Sequence, residues 1–169
     1  AGTDYLIVLP SDQKRVGNLT LSGGRNIVII GGEMERATEA GGFADQDRRC
    51  LYLPNNTGDV FVEGVHFHIN GSSNPFDAVY IHHSSSRTTT LTFQNCLFDG
   101  IIGTSGGFHG DGIQFQDTAQ FNGIIRFHRC TFRTEYQGYY NVCDGTDSTA
   151  YFDETNIVCT GSDGVPFWL

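Results

Sequence analysis

Phe93-Gln-Asn-Cys-Leu-Phe98 and, one repeat later, Phe127-His-Arg-Cys-Thr-Phe132 decide the fold. Both have a large apolar residue first and sixth and a cysteine fourth. The same six-residue frame recurs in Ile29-Ile-Gly-Gly-Glu-Met34, Val62-Glu-Gly-Val-His-Phe67 and Phe152-Asp-Glu-Thr-Asn-Ile157. The starts lie 25 to 34 residues apart, a period that belongs to solenoids. Upstream of four frames lies a short apolar-polar-apolar strand: Leu51-Tyr-Leu53, Val79-Tyr-Ile81, Ile113-Gln-Phe115 and Tyr140-Asn-Val142. Each repeat thus holds strands, a Gly, Ser, Thr or Asn-rich turn, and a bend at the third or fourth position of the frame.

Such a repeat predicts an all-β chain folded as a right-handed parallel β-helix of about five coils. Alternation puts apolar residues on one face, and stacking coils about 4.8 Å apart merges those faces into a continuous core. A sandwich built from hairpins would carry turn signals at shorter spacing, without a frame repeated once per coil. Residues 1–169 are expected to form one domain, with 1–24 as N-terminal cap and first strand and 160–169 as C-terminal cap. Open end coils expose unpaired backbone, so end-to-end stacking into a homo-oligomer or fibre is the matching expectation.

Composition narrows the partners. The net charge of −9 and ten scattered Lys and Arg exclude a basic stripe for nucleic acid. No apolar run is long enough to span a bilayer. Low lysine, abundant small polar residues and sequons at Asn18, Asn55 and Asn70 suit a mature, secreted protein at or outside the cell surface. The five cysteines lack zinc-type spacing. Cys96 and Cys130 share a column, either as buried thiols or as a disulfide between coils, and Cys143 with Cys159 would close a loop of about 15 residues.

Aligning the upstream strands gathers one polar face. Arg49, Asp77 and Asp111 share a column with Gly138; Tyr52, Tyr80, Gln114 and Asn141 share another; Tyr136 neighbours His109. The central segment is His109-Gly110-Asp111-Gly112-Ile113-Gln114. In an elimination on a uronate polymer His109 would act as base and Tyr136 as acid, while Gln114, Gln137 or Arg49 would stabilise the enolate-like charge. In a hydrolysis Asp77 and Asp111 would be the two carboxyls, although adjacent coils bring them nearer than inversion requires. No cofactor is required; the same two aspartates, with Asp45 or Asp47, are the candidate ligands for calcium. Arg49, Asp77, Tyr80, His82 and Gln137 would bind substrate, with Tyr52, Tyr80 and Tyr139 as a stacking ladder. His66, His68 and His128 sit at or beside the bend and receive no role.

The chain also resembles exported β-helix proteins of the pectate-lyase-like superfamily. The resemblance rests on Ser22-Gly-Gly-Arg-Asn-Ile-Val-Ile-Ile-Gly-Gly32, Thr57-Gly-Asp-Val-Phe-Val-Glu-Gly64, His109-x-Asp111-x-x-Gln114 and Thr134-Glu-Tyr136-Gln137-Gly138. It implies a β-helix and a carbohydrate-related role; together with the polar face, the expectation is a polysaccharide lyase before a glycoside hydrolase, with a non-catalytic glycan-binding or structural subunit as the alternative. The catalytic residues of polygalacturonases and of calcium-dependent pectate lyases have no convincing counterparts here, so neither mechanism transfers.

Overall fold

A computed structural model describes residues 2–36, 49–69, 77–82, 88–103, 110–115, 122–141, 148–161 and 165–168. The described strands form three parallel sheets, each of six strands, as a right-handed parallel β-helix requires. The first sheet stacks Tyr5–Val8, Ile27–Ile30, Val60–Glu63, Thr90–Gln94, Ile124–His128 and Thr149–Asp153. The second stacks Lys14–Val16, Glu33–Glu35, His66–His68, Leu97–Ile101, Thr131–Thr134 and Asn156–Cys159. The third stacks Leu19–Thr20, Leu51–Pro54, Val79–His82, Asp111–Phe115, Gln137–Asn141 and Val165–Trp168. Segment 1–24 carries Tyr5–Val8, Lys14–Val16 and Leu19–Thr20, and segment 160–169 carries Val165–Trp168. No described helix is long and apolar enough to cross a membrane.

The six-residue frame is the corner between the first two sheets. Its first residues, Ile29, Val62, Phe93, Phe127 and Phe152, pair in register up the first sheet. Its sixth residues, Met34, Phe67, Phe98, Phe132 and Ile157, do the same in the second. The third residue takes a left-handed backbone in all five frames: Gly31, Gly64, Asn95, Arg129 and Glu154. One such residue turns the chain sharply enough to carry it between sheets, and only glycine adopts it without steric cost. Glu154→Gly is therefore expected to raise stability by about 1 kcal/mol, read as a higher denaturation midpoint. The exposed Glu154–Arg129 ion pair that it removes is worth little against this.

Inside the coil the alternation becomes ring stacks. Phe67, Phe98 and Phe132 lie nearly parallel at centroid distances of 5.0 and 4.3 Å. Phe93, Phe127 and Phe152 form a second stack at 5.6 and 4.9 Å. Each buried ring contributes about 1.5–3 kcal/mol by leaving water. Cys96 and Cys130 are buried free thiols that donate to backbone carbonyls, Cys96 Sγ to Gln94 at 3.2 Å and Cys130 Sγ to Phe93 at 3.3 Å, so this column holds two small apolar side chains and no disulfide. Cys159 is also a free thiol, 2.9 Å from the Tyr136 carbonyl. Cys143, its expected partner, lies outside the described residues.

Candidate functional site

The third sheet holds the polar face, with one correction to the expected register. Asp111 pairs with Gln137, Ile113 with Tyr139 and Gln114 with Tyr140, one position earlier than Gly138, Tyr140 and Asn141. Two consecutive tyrosines make either alignment read apolar-polar-apolar. The core selects between them. Tyr139 is fully buried, edge-on to Phe127 and Phe152 at 5.5 and 5.6 Å, which leaves Tyr140 facing outward. Tyr139 thus belongs to the core and not to the outer stacking ladder. Gly112 is needed where it stands, because a Cβ would lie 2.4 Å from the Gly138 carbonyl oxygen and 2.7 Å from the Phe132 ring.

Two columns follow from this register. Tyr52, Tyr80, Gln114 and Tyr140 succeed one another on the outer face, all half-buried. The Tyr52 and Tyr80 rings lie 5.4 Å apart, and the His82 ring is parallel to Tyr80 at 6.1 Å. At the strand entrances come Arg49, Asp77, Asp111 and Gln137. The Arg49 Nε donates to Asp77 Oδ2 at 3.3 Å, and the Asp111 backbone N–H donates to Asp77 Oδ1 at 3.3 Å. The Arg49 guanidinium lies over the Tyr80 ring at 3.8 Å and reaches Tyr52 at 5.7 Å, within cation–π range. Among the described residues its terminal nitrogens make no hydrogen bond, and the side chain is 15% exposed.

The carboxyls behind this guanidinium are interior groups. Asp77, Asp111 and Gln137 are 2%, 1% and 1% exposed, and Tyr136 is 6% exposed. Burial, the Asp77 charge and a hydrogen bond to Asp77 push the Asp111 carboxyl far above the usual carboxylate range. Burial also raises Asp77, opposed by Arg49 and by the Asp111 N–H. The pair accordingly shares a proton and carries about one negative charge, which Arg49 balances. Asp111 Oδ1 and Gln137 Oε1, on paired positions, are buried without hydrogen-bond partners among the described residues. A retained proton eases that shortage of donors.

The structure therefore brings together Arg49, Asp77, Tyr80, His82, Asp111, Gln114 and Gln137. Tyr136 is set beside Gly110: both approach within 3 Å of where a Gly103 Cβ would stand. His109, Asp45 and Asp47 lie outside the described residues. For calcium the two aspartates offer one shared negative charge already faced by Arg49, whereas that ion takes several oxygen ligands. No protein-family model matches the chain, and neither does a curated protein or a solved structure. Of the resemblance to pectate-lyase-like proteins, the parallel β-helix is the part that the structure bears out.

Proposed function

We propose that the chain binds an extended glycan along the outer face of the third sheet. The observation that carries this reading is Arg49, partly exposed, anchored by a buried carboxyl and laid on the Tyr80 ring. Tyrosine rings at successive rungs offer apolar faces for sugar C–H groups at a spacing of about 4.8 Å, close to the length of one sugar unit. Gln114 and Arg49 supply donors for hydroxyl or carboxylate oxygens between them. Binding is favoured over elimination or hydrolysis because Asp77, Asp111 and Tyr136 are almost closed to solvent, where a polymer cannot reach them.

Affinity electrophoresis through gels containing neutral or uronate polysaccharides tests this. At least one polymer is expected to retard the protein, with Tyr80→Ala weakening binding about tenfold, the equivalent of about 1.4 kcal/mol. No retardation by any polymer, or retardation indifferent to Tyr80→Ala, would sink the proposal. Release of unsaturated uronate products would instead return the elimination reading, with His109 as the first residue to replace.

A further inference from the structure

The outer face of the second sheet holds a separate cluster. Glu33 pairs with His66 and Glu35 with His68 on adjacent rungs, and Asp99 follows His68 on the next. Alternation points these side chains outward while Met34, Phe67 and Phe98 fill the core. One ligand atom each from Glu33, Glu35 and His68 falls within 4.8 Å of the others. The imidazoles of His66 and His68 are parallel, 5.4 Å apart, with the Glu33 carboxylate serving both. Its Oε1 is 3.7 Å from His68 Nδ1 and its Oε2 is 3.9 Å from His66 Nδ1.

These separations are informative because they fit no hydrogen bond. A histidine–glutamate pair formed for its own sake closes to about 2.7–3.2 Å. Two donors each about 2.0–2.1 Å from one tetrahedral ion stand about 3.3 Å apart, so the His68–Glu33 pair has only a few tenths of an ångström to close and the full set, within 4.8 Å, up to about 1.5 Å. His66 presents its Nδ1 to Glu33 and turns its Nε2 toward Asp99 on the next rung. That Nε2 is shut off from solvent, has no hydrogen-bond partner among the described residues, and lies 3.7 Å from Asp99 Oδ2. The His68 ring packs against the Gly100 backbone so closely that a Cβ there would come within 3.1 Å of His68 Cδ2.

We propose that Glu33, Glu35 and His68, with His66 as a further donor, bind a first-row divalent transition ion. Mixed imidazole and carboxylate donors without thiolate suit zinc and its neighbours better than calcium or a soft copper(I) ion. Lys14 now occupies Glu35 and Arg133 occupies Asp99. The half-exposed Lys14 ammonium is the cation that an incoming metal displaces.

Isothermal titration of the metal-free chain with zinc tests this, with cobalt(II) absorption as a second readout of coordination. One saturable site per chain is expected. Glu33→Gln and His68→Ala should each weaken it by about tenfold or more, Lys14→Gln should strengthen it, and His128→Ala on the first sheet should leave it unchanged. Glu33→Gln preserves shape, and melting curves in chelator confirm that each variant is folded. Absence of saturable binding, an isotherm indifferent to both Glu33→Gln and His68→Ala, or loss of the site in His128→Ala would overturn the proposal.

Discussion

Replacing Asp111 by asparagine is expected to leave stability nearly unchanged at about pH 5 and to raise it clearly at about pH 8. Burial, Asp77 and the hydrogen bond between them raise the folded-state value of Asp111 well above the ordinary 3.8. A carboxyl raised in this way takes up a proton on folding. Its stabilising contribution is complete below the unfolded value and is lost as pH rises through the folded one. The loss amounts to about 1.4 kcal/mol per pH unit for each proton retained, so at most about 4 kcal/mol between pH 5 and 8. Asparagine keeps the size and a donor for Asp77 without needing the proton, which flattens the dependence. Among the described residues Arg49 and Asp77 are the charged groups facing the site, and both remain in the variant. Urea midpoints at the two pH values measure the effect. An unaltered pH slope, or an equal loss of stability at both values, would show that Asp77 and Asp111 do not share a proton.

The frame from Phe93 to Phe98 carried most of the fold because its constraints are local and repeated. Apolar first and sixth residues must face one core, and a bend between them must fall at a fixed position, so the columns of the first two sheets align as read. The third sheet was less legible. Tyr139 and Tyr140 are equally tolerable inside or outside by type, and only the rings of Phe127 and Phe152, distant in sequence, settle which one turns inward. That displacement moved Gln137 beside Asp111. Burial of the carboxyl pair was also hidden, since aspartate beside glycine at a strand entrance looks like an ordinary exposed turn. The second-sheet cluster had a visible signal in the alternating Glu33-Met34-Glu35 and His66-Phe67-His68. Each histidine read alone as a residue near a bend. Pairing these two strands in register would have placed two carboxylates against two imidazoles before any coordinates were known.

Phe127→Ala is expected to cost about 3–5 kcal/mol, the range for emptying a buried aromatic site. Among the described residues Phe127 contacts four other rings: Phe93, Phe132, Tyr139 and Phe152, at centroid distances from 4.9 to 5.6 Å. It therefore joins the rung below to the rung above, as well as the first sheet to the second and third. In a solenoid each coil is stabilised by its neighbours, so such a cavity weakens an interface as well as one coil. Ile27–Ile30 and Val60–Glu63 retain their own contacts below it. The C-terminal rungs containing Ile124–His128 and Thr149–Asp153 should consequently open first, giving a broadened or two-stage denaturation curve in place of one cooperative step. Hydrogen exchange resolves the two parts: amides of the last two first-sheet strands should lose protection while those of Ile27–Ile30 keep it. Uniform loss along all six strands would show that the helix unfolds as a single unit and that Phe127 has no special place in coupling its coils. Phe61→Ala is the matched comparison, because Phe61 lies on the outer face of the same sheet and is only half-buried. Its removal should cost about 1 kcal/mol or less and leave the shape of the transition unchanged.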